Sequence, residues 1–168
     1  MKRLLLLDTK DYTAEMTIYE KCSVRAIIMR NGQVAMQQSK SGVYKILGGV
    51  VEDGETHEET LVREVEEEGG LIVRRDTIRP LGYIEERRRD IFEPDKIYIC
   101  YTYFYSCEVE DYEVSLKMTA SEIAKGYRLT WATPEHIVLV NSALIEEKWR
   151  MRDTEFIKML AEGRFDDQ

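Results

Sequence analysis

The sequence predicts an α/β (α+β) protein, in its most regular form a three-layer α/β/α sandwich, and three observations predict it. Short runs rich in β-branched and aromatic residues recur along the chain, the clearest being KIYICYTYFYSCEV at 96–109. One helical pattern, with Leu61, Val62 and Val65 on a single face, interrupts them near the middle. Helical patterns return only at the end, after Thr133-Pro134. The 168 residues, 43% of them hydrophobic, suit a single domain spanning 1–168 with an adequate core. No repeat, low-complexity segment or linker divides it.

Each element follows in turn. Residues 3–7 predict a short edge strand, part of an N-terminal strand extension covering 1–17, and 8–15 read as a turn. Residues 19–30 predict a strand, Asn31-Gly32 a two-residue hairpin turn, and 33–38 the returning partner. A turn at 39–42 and a short strand at 43–47 lead into Gly48-Gly49. Beyond the central helix, 71–73 and 78–87 predict strands, Pro80 marking an edge or a bulge. Residues 88–95 are charged, contain Pro94 and predict an exposed loop; 111–122 predict another. A last strand at 127–131 precedes the C-terminal helices (134–163). The first opens with Thr133 and Pro134 and runs to about Glu147; the second is capped by Asp153 and ends near Gly163.

The formal net charge of −8, from 32 acids against 24 bases, argues against broad nucleic-acid binding, which wants a basic stripe. Much of the imbalance lies between Glu52 and Glu68. Cys22, Cys100 and Cys107 show neither metal-ligand spacing nor a secreted disulfide pattern, so a reduced, cytoplasmic setting is expected. The leucines after MKR are too few for a signal peptide, and no run approaches a transmembrane length, so no membrane partner is expected.

The chemistry concentrates in GGVVEDGETHEETLVREVEEEGGL, from Gly48 to Leu71. Thr56 can cap a helix, with Glu59 at the reciprocal capping-box position, and Gly69-Gly70 ends it. Glu64, Glu67 and Glu68 then stand at i, i+3 and i+4, three carboxylates on one face. Like charges so placed repel unless a cation sits between them, and clustered hard oxygens suit Mg²⁺, with Mn²⁺ able to substitute. An acidic run alone reads as a solvated helix face. The glycine turn, with Glu55 and Arg63 at fixed offsets, favours a catalytic reading.

Those residues match the pattern G-x5-E-x7-R-E-apolar-x-E-E-x-G-apolar at every specified position from Gly49 to Leu71, and the chain resembles the Nudix hydrolases over roughly residues 22–140. The resemblance implies a Nudix-type α/β/α sandwich with a mixed sheet and the motif as loop-helix-loop. It implies a Mg²⁺-dependent hydrolase that cleaves a diphosphate linkage in a small nucleotide substrate, and it leaves a homodimer open. By position Glu64, Glu67 and Glu68 look like metal ligands, Gly48 matches a glycine whose carbonyl assists, and Glu55 and Arg63 resemble the pair bracing loop against helix. Leu47 departs from the family, which usually has proline there.

Many members recruit an acid from outside the motif. Glu122 is the leading candidate, as general base or extra ligand, against Glu85 and Glu86. The catalytic set is thus Glu55, Arg63, Glu67 and Glu122. The proline typical of the ADP-ribose subgroup is absent where Glu85-Glu86-Arg87 stand, and no coenzyme A-type motif accompanies the box. What remains resembles the broad bacterial nucleoside triphosphate diphosphatase branch, which includes enzymes acting on oxidised guanine nucleotides. An ADP-ribose or sugar-nucleotide diphosphatase is the alternative enzyme. A non-catalytic nucleotide sensor would be expected to lose acids that this chain keeps. Tyr98, Tyr101, Tyr103, Phe104 and Tyr105 are open to base stacking or to core packing. Arg25 and the run Arg87-Arg88-Arg89 are open to phosphate contact or to solvation.

Overall fold

A computed structural model describes residues 1–146 and 151–166. Its main sheet has the order β1 (Arg3–Asp8), β7 (Arg79–Arg89), β8 (Lys96–Ser106), β2 (Thr17–Ile27). β1 runs parallel to β7, β7 antiparallel to β8, and β8 parallel to β2, so the sheet is mixed. In the second sheet β4 (Gln33–Gln38) lies between β10 (Arg128–Ala132) on one side and β3 (Met29–Arg30) and β5 (Tyr44–Ile46) on the other, all antiparallel to it. A small antiparallel pair joins β6 (Leu71–Val73) to β9 (Val109–Glu113).

Helices cover both sides, because the strands alternate their apolar residues between two cores. One core gathers Ile27, Val34, Met36, Ile84 and Phe104 with Ile137, Phe156 and Ile157 of α3 (Pro134–Leu144) and α4 (Arg152–Ala161). Phe104 and Phe156 stack at 3.9 Å between ring centroids, and the leucines of β1 pack against the same cluster. The other core sets Val24, Ala26, Ala35 and Leu47 against Leu61 and Val65 of α1 (His57–Gly69). This is the expected sandwich. Leu47, where the family usually has proline, is fully buried in the cluster with Leu61 and Val65 of α1.

Several sequence expectations need correction. Residues 88–95 are not simply an exposed loop: β7 continues through Arg89, and both Arg88 and Asp90 are buried. Pro80 marks a bulge, since the β7–β8 register shifts between Pro80 and Gly82. The stretch 111–122 contains the end of β9 and the start of a short helix, α2 (Ala120–Lys125). α3 ends at Leu144, and Glu147 lies outside the described residues. Asp153 does not cap α4: Met151 holds that position without a side-chain bond, because tertiary partners take the Asp153 carboxylate.

Candidate active site

The site begins with a turn that only glycine allows. Gly48 has φ +134°, and a Cβ there would lie 2.2 Å from the Val24 carbonyl oxygen. At Gly49 a Cβ would lie 2.1 Å from Glu64 Oε1, so the bare backbone lets α1 bring that carboxylate against the loop. Beside it the Gly48 N–H donates to Glu68 Oε2 at 2.8 Å. The helix starts as its sequence says. Thr56 Oγ1 accepts from the Glu59 N–H and Glu59 accepts from the Thr56 N–H, while Gly70 closes the far end in the left-handed conformation.

Arg63 gathers the exposed side of the cluster. Its Nε and Nη2 donate to the two oxygens of Glu55 at 2.7 and 2.9 Å. Its Nη1 donates to Glu64 at 2.8 Å and, more weakly, to Glu67 at 3.5 Å. Hydrogen bonds from Arg63 and Thr60 hold the Glu55 carboxyl down to about 2, and the Glu55 partnership raises Arg63 in turn. The carboxylates are therefore not left to repel one another, as the helix pattern alone suggests. Two side-chain cations partner them, and the second is Lys45, donating to Glu68 Oε1 at 2.5 Å.

Glu122 arrives from α2. Thr119 caps that helix and donates twice to Glu122 Oε2, at 2.8 Å each, which leaves Oε1 facing Lys45 at 4.0 Å. Lys45 thus stands between the Glu68 and Glu122 carboxylates, at 2.5 and 4.0 Å. Burial pushes Glu68 up to about 7 despite the nearby ammonium. Burial also raises Glu122, but the neighbouring Glu68 carboxyl and bonds from Thr119 outweigh it and leave that acid below its ordinary value. Of the rival acids, Glu85 is held by Arg3 and Arg87 on the other face of β7, and Glu86 is bound by Arg88 and Arg152 in the wall of the neighbouring cavity.

Lys45 also lines a cavity of about 440 Å³ whose wall includes Arg25, Glu86, Arg88, Tyr98, Tyr127 and Asp153. Of the aromatics open to stacking, only Tyr98 reaches this wall, with the Arg88 guanidinium 4.1 Å from its ring centroid. Phe104 is core, Tyr101 and Tyr103 pack against Tyr83, and Tyr105 bonds His57 Nδ1. Arg25 and Arg88 line the cavity, whereas Arg87 pairs outward with Glu85. Sequence reasoning missed Lys45, Tyr127, Arg152 and Asp153, because they belong to separate strands and helices with no shared motif.

The donor set at the cluster is all oxygen, which fits a hard divalent cation rather than zinc. Among the described residues no three metal-type ligands converge, since Arg63 and Lys45 turn the carboxylates toward themselves. Gln37, paired across the sheet with Lys45, is fully buried with both amide atoms unpartnered among the described residues.

No curated protein matches the chain. Solved structures do. A NUDIX hydrolase from Nitrosomonas europaea is 17% identical with a TM-score of 0.62, covering 86% of this chain and 90% of its own. The E. coli ORF135 protein is 21% identical at a TM-score of 0.55, covering 89% and 94%. A MutT structure from work on Aliivibrio salmonicida and Vibrio cholerae is 17% identical at a TM-score of 0.55, covering 84% and 96%. At such identities these likenesses speak for the fold. The family follows from the NUDIX domain model, which matches residues 21–157 and so reaches into α4 beyond the motif. The chain therefore belongs to the NUDIX family and is a Nudix hydrolase, an enzyme of pyrophosphate-bond hydrolysis in nucleotide derivatives.

Proposed function

We propose that the protein is a Mg²⁺-dependent hydrolase of a diphosphate linkage in a nucleoside triphosphate or related nucleoside diphosphate derivative. The observation that carries this reading is Lys45, in the wall of a cation-lined cavity, standing 2.5 Å from Glu68 of the motif helix and 4.0 Å from Glu122. Glu64, Glu67, Glu68 and the Gly48 carbonyl would hold the cation. Bound there, it supplies charge neutralisation for the polyphosphate and makes nearby water more acidic.

The chain's own residues do the rest. Glu55 and Arg63 brace the loop so that Gly48 and α1 keep one register. Glu122 stays ionised and accepts the proton of the attacking water as the oxygen bonds to phosphorus and the bridging P–O bond breaks. The cavity receives the nucleoside, with Tyr98 and Tyr127 as aromatic faces and Arg25 and Arg88 as cationic ones. Three free thiols support a reduced, cytoplasmic setting. No described helix is long and apolar enough to cross a membrane.

A screen of purified protein against nucleoside triphosphates, oxidised guanine nucleotides, ADP-ribose and sugar nucleotides with Mg²⁺ tests the reading. Release of nucleoside monophosphate and pyrophosphate from a triphosphate is expected. Cleavage confined to ADP-ribose or sugar nucleotides would favour the alternative enzyme over a triphosphate diphosphatase, and no hydrolysis of any of these would overturn the reading.

A further inference from the structure

Lys45 belongs to two features at once. Its Nζ is 2.5 Å from Glu68 Oε1 and 4.0 Å from Glu122 Oε1, inside the carboxylate cluster. The same side chain lines the cavity of about 440 Å³, its ammonium 5.9 Å from the Tyr127 ring centroid. The arginines of that wall are committed differently. Arg25 bonds Asp153 and the Val24 carbonyl, Arg88 bonds Glu86, and Arg152 bonds Asp153 and Glu86. Their acids belong to the cavity wall itself. The partner of Lys45 is instead a carboxylate of the proposed metal cluster.

A divalent cation and an ammonium cannot both sit close against Glu68 without strong like-charge repulsion. Lysine is a point charge on a flexible four-carbon stem, so it can change partners at small conformational cost. The direction open to it is the cavity, where a nucleotide's phosphates would lie beside the cluster.

We propose that Lys45 exchanges partners: a cation entering at Glu68 releases its ammonium to the diphosphate of the bound nucleotide, so that metal and substrate strengthen each other's binding. The proposal rests on the functional reading above. Before the metal arrives Lys45 neutralises Glu68; afterwards it neutralises a phosphate oxygen next to the scissile linkage. The coupling is reciprocal, as linkage requires.

Calorimetry tests the exchange with Mg²⁺ alone and with imidodiphosphate, a diphosphate that the enzyme cannot cleave at a bridging oxygen. Work at pH 8.5 keeps Glu68 ionised. For Lys45→Met, Mg²⁺ affinity without imidodiphosphate should rise about tenfold, since the competing ammonium is gone, while imidodiphosphate affinity at saturating Mg²⁺ should fall about tenfold, both within the usual range of coupling between sites. Lys45→Arg should restore most of the imidodiphosphate affinity. Lys45→Gln, which keeps a donor for Glu68, replaces the methionine variant if that does not fold. If either affinity in the variant matches wild type, or Mg²⁺ binding weakens, the exchange is wrong while the functional reading stands. Wild-type protein that binds no Mg²⁺ would overturn the functional reading itself, and the exchange with it.

Discussion

Arg63 lays two of its nitrogens on the two oxygens of Glu55, at 2.7 and 2.9 Å, across a sequence separation of eight residues. This fork ties the end of the glycine loop to the middle of α1. A lysine carries the charge but not the planar pair of donors. Arg63→Lys should therefore lower kcat/KM by about tenfold or more, about 1.4 kcal/mol of transition-state stabilisation. The pH response follows from Glu55, whose folded pKa of about 2 lies below the unfolded value near 4.3. A depressed carboxylate stabilises above the unfolded pKa and loses that contribution as pH falls toward the folded one. Arg63→Lys should then unfold at higher pH in an acid titration followed by circular dichroism.

Glu67 is the most exposed of the three helix carboxylates, and Arg63 reaches it only at 3.5 Å. Glu67→Gln should change stability by no more than about 0.5 kcal/mol, the scale of a surface pair four residues apart. It should nonetheless remove Mg²⁺ binding in calorimetry and lower turnover at least about a hundredfold, about 2.7 kcal/mol of barrier. Activity within threefold of wild type would show that Glu67 does not hold the cation.

Glu122 spends one oxygen on the Thr119 cap and faces the cluster with the other. Glutamine can keep the cap but cannot take a proton from water. Glu122→Gln should lower kcat by about a hundredfold with little change in KM. Glu85→Gln serves as the control, since that acid is locked in ion pairs with Arg3 and Arg87 away from the cavity, whereas Glu86 lines the cavity wall. A crippled control beside a near-normal Glu122→Gln would move the base to β7.

Glu68 contributes the opposite pH dependence to that of Glu55. In the metal-free protein burial raises its carboxyl to about 7, against about 4.3 in an unfolded chain. Between those values the folded state holds the extra proton, so stability falls as pH rises through the window. Glu68→Gln removes that term. Urea unfolding at pH 4.5 and pH 8 should show the variant gaining on wild type by about 2 kcal/mol at the higher pH. A difference that does not change with pH would contradict this.

Asp153 ties α4 to β5 and to the cavity wall. Its carboxylate accepts from Arg25, from Arg152 and from the Ile46 N–H, and the guanidiniums hold it below its ordinary value despite burial. Asp153→Asn keeps an acceptor for Ile46 but leaves two cations with reduced compensation. Removing one charge of such a buried network costs about 3 kcal/mol, so the chemical-denaturation midpoint should drop clearly.

The sequence by itself determined what is local or periodic. The capping box at Thr56 and Glu59, the left-handed close at Gly70 and the three carboxylates on one helix face follow from contacts within a few residues. The strand patterns likewise fixed an α/β sandwich, because alternation records which face of a strand meets a core. Only the tertiary structure decided who neutralises the acids. Lys45 meets Glu68 through the pairing of β5 with β4, and Glu122 comes to face Lys45 through a six-residue helix in a stretch that reads as loop. The same holds for Asp153, which looks like a helix cap in sequence. Burial gave its charge stronger partners in Arg25 and Arg152, and an electrostatic gain in a low-dielectric interior outweighs a solvent-exposed cap bond.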